Sequence, residues 1–99
     1  MMEVQVCSRQ GDLLRAYALG DAREVIVGRD ENCDIRIGSL AVSREHCAIE
    51  RDGEAHVLKD LGSTCGTFCN GQRIDRVHLR DGMEIIVGPA VLRFHEAEI

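Results

Sequence analysis

Apolar and polar residues alternate along this chain in short runs such as "EVQVCS" (3–8), "RAYAL" (15–19), "EVIVGR" (24–29), "DIRI" (34–37), "HCAIER" (46–51), "AHVLKD" (55–60), "MEIIVG" (83–88) and "AVLRFHEAEI" (90–99). A period of two puts successive side chains on opposite faces of a strand. In "EHCAIERD", Cys47 and Ile49 share one face, Ala48 and Glu50 share the other, and Asp52-Gly53 supplies a hairpin turn into "EAHVL". Turn-forming groups separate the runs: Gly11-Asp12, Gly20-Asp21, Gly28 to Asn32, Gly38-Ser39, Asp52-Gly53, Gly62 to Gly66, Asn70-Gly71, Asp81-Gly82 and Gly88-Pro89. Turns spaced by roughly eight to twelve residues are the signature of a sandwich or barrel. The longest helix-like stretch, "SLAVSREHCAIE", is interrupted by Ser43 before an apolar stripe can run for three turns. The pattern therefore predicts an all-β chain of two packed sheets. There is no internal repeat, low-complexity tract or linker, and strand signals run from near residue 3 to the last residue, so a single domain is expected over residues 1–99.

A chain of 99 residues has material for one hydrophobic core and no more. With 44% hydrophobic and 29% charged residues it has the composition of an ordinary globular domain, which excludes disorder. The net charge of -5 argues against nucleic-acid or membrane-surface binding by bulk electrostatics, because both need a basic field. Any anion must be held by a local site. Lys59 is the only lysine, so that site must draw on arginine, the better planar partner for phosphate. Glu3 and Arg9 interrupt what would be the apolar stretch of a signal peptide, and no run approaches the roughly 18 apolar residues of a membrane span. Five cysteines, an odd number without a regular framework, fit thiols kept reduced. A cytoplasmic location is expected.

Three segments place small, hydroxyl or charged residues between strands, where a packed core has no use for them: "VGRDENCDI", "GSLAVSREH" and "DLGSTCGTFCNG". Loops gathered at one end of a sandwich are its usual binding surface. They offer Arg29 directly after a strand, then Ser43, Arg44 and His46, then Ser63, Thr64 and a Gly66 that permits a tight turn. Singly, Arg29 and Ser43 read equally well as a surface arginine and a turn serine. Gly28, Gly66 and Gly71 read as turn or close-approach glycines, Ser63 and Thr67 as local caps, and His56, His78 and His95 as structural or solvated. There is no nucleophile elbow and no Walker loop, and the carboxylates are scattered over turns, so an enzyme is not expected and neither is a cofactor.

The ordered series "GR", then "SREH" about fifteen residues on, then "DLGSTCGTFCNG", resembles the forkhead-associated (FHA) domain, and the similarity covers about residues 3 to 98. The resemblance implies a β-sandwich of about eleven strands that binds phosphothreonine peptides through its apical loops. It makes Arg29 the main guanidinium contact to phosphate, Ser43 a hydroxyl donor, Arg44 a second charge and Thr64 a donor from the third loop. His46 then ties the loops together beneath the site. A phosphothreonine brings roughly -1.5 to -2 charges and three acceptor oxygens, which suits donors converging from several directions. Cys65 stands where the family usually carries an asparagine that hydrogen-bonds the peptide backbone, and a thiol replaces that group poorly. Losing one neutral hydrogen bond costs about 0.5 to 1.5 kcal/mol, which predicts weaker or differently selective binding while phosphate capture survives. Asn70 either faces the peptide or serves an Asn-Gly hairpin turn. The implied partner is a phosphothreonine-containing protein, a Ser/Thr kinase or its substrate.

Two other readings remain open from the residues. A phospho-independent interaction scaffold would have kept the sandwich and lost the site, with Cys65 the first sign of drift. A metal or redox clip at Cys65 and Cys69 is the less favoured, because "CGTFC" lacks the two-residue spacing of a zinc knuckle and no second pair matches it. Cys65, expected in an exposed loop near two arginines, is the candidate reactive thiol. Cys47 and Cys7 are expected in the core, and one of Phe68 and Cys69 is expected to be buried.

Overall fold

The computed structural model describes residues 1–97, so Glu98 and Ile99, the end of the last expected strand, lie outside the described residues. Among the described residues, eleven strands follow one another without a helix: β1 (Met2–Ser8), β2 (Leu13–Ala18), β3 (Glu24–Gly28), β4 (Ile35–Arg36), β5 (Cys47–Asp52), β6 (Ala55–Asp60), β7 (Thr67–Cys69), β8 (Gln72–Arg73), β9 (Arg76–His78), β10 (Glu84–Val87) and β11 (Ala90–Glu96). They form a six-stranded sheet in the order β2-β1-β11-β10-β7-β8 and a five-stranded sheet in the order β4-β3-β5-β6-β9. Pairing is antiparallel except where β4 runs parallel to β3, with Val27 opposite Ile35.

Period-two alternation decides which side chains fill the space between the sheets. Val4 and Val6 of β1, Ile85 and Val87 of β10, and Leu92 and Phe94 of β11 meet Val27, Cys47, Ile49 and Leu58 of the facing sheet in one core cluster. The intervening Glu84, Ile86, Arg93 and His95 are not part of that cluster. Cys47 and Ile49 do share the core face, but Ala48 is fully buried as well. Strand β5 is the middle strand of its sheet, with Ile26 and Lys59 flanking Ala48 in register.

Turn chemistry sets the registers. Asp52 pairs with Ala55, so the two-residue loop of the β5–β6 hairpin is Gly53-Glu54 and not the expected Asp-Gly pair. Gly53, with φ of 64°, takes the first loop position, where a type II′ turn needs glycine. Between β7 and β8, Cys69 pairs with Gln72 across Asn70 and Gly71, whose φ values of 51° and 78° are those of a type I′ turn. The β3–β4, β4–β5 and β6–β7 connections emerge together, because β3, β5 and β6 are neighbours and Val27 opposes Cys47 while Cys47 opposes Asp60. Three loops distant in sequence thus share one end of the sandwich.

Phe94 is the largest fully buried side chain. Phe94→Ala is expected to cost about 3 to 5 kcal/mol, much of the stability of a small domain, as the difference in unfolding free energy in urea.

Candidate functional site

At that end the structure forms a groove of about 340 Å³ whose lining includes Arg29, Ser43, Arg44, Thr64 and Cys65, with Leu40, Ala41 and Val42. Arg29 leaves the last residue of β3, Ser43 and Arg44 come from the β4–β5 loop, and Thr64 and Cys65 from the β6–β7 loop. Five of the residues singled out in the sequence therefore face one space.

Their hydrogen bonds fix how they face it. Arg29 donates its Nε to the Val42 carbonyl at 3.0 Å, which orients the guanidinium, and neither Nη nitrogen hydrogen-bonds another described residue. Ser43 accepts from the Thr64 amide on Oγ at 3.1 Å, so its own hydroxyl hydrogen is free to donate. Arg44 is exposed and forms no ion pair among the described residues. The result is a set of donors with two cationic heads, an arrangement suited to an oxyanion.

Beneath the groove, His46 is fully buried. Its Nδ1 accepts from the Ser43 amide at 3.1 Å, which places the ring proton on Nε2, and Nε2 donates to the Gly66 carbonyl at 2.9 Å. The His46 amide also donates to the Val27 carbonyl, and its carbonyl accepts from Leu61. One residue thus ties β3, the β4–β5 loop and the β6–β7 loop. Gly28 is required by proximity: a Cβ there would lie 2.1 Å from the Arg44 carbonyl oxygen. Gly66 has a φ of 92°, and a Cβ on it would press on Arg73 and Phe68 at 3.0 Å.

Asn70 is not brought to this groove. Its positive φ belongs to the β7–β8 hairpin, and it borders a separate depression with Arg80 to Glu84. The turn requirement alone accounts for the Asn-Gly pair. The thiols of Cys65 and Cys69 are likewise separated, Cys65 being exposed in the groove and Cys69 packed in the core. Cys7 and Cys47 are fully buried, and burial, with smaller contributions from Asp60 and Cys33, pushes the Cys47 thiol up to about 12, so it is an inert core group. Phe68, half-buried, lies on the other face of β7 and with Ile86 borders a larger depression of about 440 Å³ across the Cys65–Gly66 backbone.

Asp60 is a further residue that shapes the site. Its carboxylate accepts from the hydroxyls of Ser63 at 2.5 Å and Thr67 at 2.7 Å and from the amides of Gly62 and Ser63, both at 3.0 Å. These four bonds shape the loop that carries Thr64 and Cys65, and Arg73 adds a bond to the Ser63 carbonyl at 3.0 Å. The signal in the sequence was the Asp-x-Gly-Ser order, in which an aspartate bonds the backbone two and three residues on. Burial acts to raise the Asp60 carboxyl, and the bonds from Ser63, Thr67 and Gly62 outweigh it, holding the group below the ordinary aspartate range.

A family profile for the FHA domain matches residues 25–88. The FHA domain-containing protein FhaA of Mycobacterium tuberculosis is 35% identical over 83 residues, which cover 82% of this chain but 16% of that protein. The chain spans a similarly small part, 8% and 11%, of two further curated relatives. A solved FHA domain, from work on phosphothreonine-dependent FHA domain interactions, superposes with a TM-score of 0.85 at 30% identity and covers 99% of this chain and 98% of its own. The FhaA FHA domain in complex with the intracellular domain of Rv3910 gives 0.84 at 30% identity, with 96% and 100% covered.

The Asp60 geometry fixes an acid dependence. A carboxyl whose folded pKa is depressed contributes stability that is fully present above its unfolded value, near 3.9, and is lost as pH falls through the folded value. Urea unfolding between about pH 6 and about pH 2.5 is expected to show this loss in the native chain. Asp60→Asn is expected to be less stable at neutral pH and to show a shallower decline.

Proposed function

The chain belongs to the FHA domain family, and from that premise we propose that its loop groove recognises phosphothreonine in a partner protein, so that the domain is a reader in Ser/Thr-kinase signalling or assembly. The observation that carries this reading is the convergence of Arg29, Ser43, Arg44 and Thr64, from three loops, on one groove. The Arg29 Nη groups and the Arg44 guanidinium neutralise the dianion, and the Ser43 hydroxyl and a Thr64 donor meet its remaining lone pairs. Each charge-assisted contact contributes about 1.5 to 3 kcal/mol, so together they outweigh the single neutral bond lost where Cys65 replaces asparagine. A preference for threonine over serine follows from family membership.

The groove is better suited to holding a phosphate than to cleaving it. The His46 imidazole lies beneath Ser43, with Nδ1 already accepting from the Ser43 amide and Nε2 donating to Gly66. His46 is therefore not free to take a proton from Ser43. The phosphorylated partner is a Ser/Thr kinase, its substrate, or a segment of the polypeptide to which this domain belongs. We place the domain in the cytoplasm, in keeping with its five free thiols. Cys65 favours a second reading, a scaffold that binds a protein without phosphate.

Titration against degenerate phosphothreonine peptides, with unphosphorylated and phosphoserine controls, separates the two. The reader is expected to bind in the micromolar range only when the peptide is phosphorylated, and Arg29→Ala is expected to abolish binding; partner binding indifferent to both would establish the scaffold instead. Cys65→Asn restores an amide to the groove and is expected to tighten phosphopeptide binding by about two- to twelvefold in the same titration.

A further inference from the structure

The Cys33 thiol occupies the joint between the two arginine-bearing loops. Immediately after Gly28, the Arg29 amide donates to the Ser43 carbonyl at 3.0 Å and the Asp30 amide to the Arg44 carbonyl at 3.1 Å. These two backbone bonds hold the loops side by side. The chain then turns back: the Cys33 amide donates to the Asp30 carbonyl at 3.0 Å, and the Asn32 amide to the Asp30 carboxylate at 2.9 Å. That turn brings the Cys33 Sγ to 3.1 Å from the same Arg44 carbonyl. The fit leaves no slack, since a Cβ on Gly28 would come within 2.1 Å of the Arg44 oxygen and 2.9 Å of the Cys33 sulfur.

We propose that Cys33 is a positioning residue for phosphopeptide binding: its S–H fastens the Arg44 carbonyl to the turn that follows Arg29, fixing the spacing of the two arginine side chains across the groove. The inference rests on the phosphothreonine reading above. Cys33 is half-buried and lies outside the apolar core cluster, so core filling does not explain its placement. Burial, followed by the charges of Asp30, Glu45 and Asp34, pushes the thiol above its ordinary value against the lowering effect of a backbone bond from Asp30. The sulfur therefore keeps its proton at neutral pH and remains a donor. Without it the Arg44 carbonyl still accepts from Asp30, so removing the thiol orphans no polar group. What is lost is the second constraint on the peptide unit that carries the Arg44 side chain.

A double-mutant cycle tests this, with phosphothreonine-peptide affinity measured by calorimetry for the wild type, Cys33→Ala, Arg44→Ala and the double variant, alongside Cys33→Ser and Arg29→Ala. Cys33→Ala is expected to weaken binding by about two- to fivefold, the range of one weak hydrogen bond. Cys33→Ser, which keeps a donor, is expected to recover most of that loss. In the Arg44→Ala background, removing the thiol is expected to have no further effect, because the side chain through which it acts is gone. Equal losses in both backgrounds, a serine variant as weak as the alanine, or no loss in Cys33→Ala would each overturn the inference while leaving phosphate- and Arg29-dependent binding by the wild type intact. A wild type that binds without phosphate or without Arg29 would overturn the phosphothreonine reading and this inference with it.

Discussion

The His46 imidazole accepts a hydrogen bond from one loop and donates one to another while excluded from solvent. Both bonds require the proton on Nε2, and both end on backbone groups, the Ser43 amide and the Gly66 carbonyl. The ring therefore constrains where two stretches of main chain run, and the groove side chains follow. Ser43 is placed by its own amide; Thr64 is placed through the Ser43 hydroxyl; Cys65 adjoins the Gly66 peptide. A buried polar group is costly unless it is satisfied, and here satisfaction demands that both loops be in register. Displacing either loop would leave a ring nitrogen or a backbone group unpaired in the interior.

On the phosphothreonine reading, the same economy would let a chain with a net charge of -5 hold a dianion. Arg29 and Arg44 converge because two backbone bonds lace their loops together at the end of β3. Elsewhere cations sit opposite anions, as in the Lys59–Glu50 and Arg93–Glu84 pairs, and add nothing to the groove. Exposed pairs of that kind contribute little to stability. The field that matters is local, made by guanidinium groups that have no carboxylate partner among the described residues.

Much of this was legible in the sequence, for physical reasons that differ by element. Alternation identified β1, β3, β10 and β11 because each has one face toward the core, and a one-residue slip would turn the wrong face inward. It said less about β5, where Ala48 is buried on the face opposite Cys47, because a middle strand can be covered on both sides. The short strands β8 and β9 carry too few residues to show a period. Arg29, Ser43, Arg44 and Thr64 were legible as a motif of particular residue types, and the structure brings the four to one groove. Asn70 was ambiguous because a type I′ turn and a peptide contact both ask for asparagine, and the backbone at Asn70 has the positive φ of that turn. Cys33 carries no sequence signal because its role consists of a contact to a backbone carbonyl in another loop, which exists only once the chain has folded, whereas Asp60 has a local signal in the Asp-x-Gly-Ser order and its bonds to the Ser63 and Thr67 hydroxyls complete it in the folded loop.

The groove residues divide their own bonding capacity between support and recognition. Arg29 uses Nε to hold Val42 and leaves two Nη groups; Ser43 uses a lone pair for Thr64 and leaves its hydrogen. Each is oriented before any ligand arrives, so less rotamer freedom is lost on binding than for a solvated side chain, for which ordering costs roughly 0.5 to 1.5 kcal/mol. The costs fall instead on folding, through Asp60, His46 and the close contact at Gly28. That division bears on Cys65. On the phosphothreonine reading, a groove whose donors are held by the fold does not need the peptide to organise it, so losing one backbone contact would remove one bond's contribution and leave the anion site as it was. On that reading, affinity for the phosphate and selectivity for the surrounding chain would then be set by different residues, and the second could change without dismantling the first.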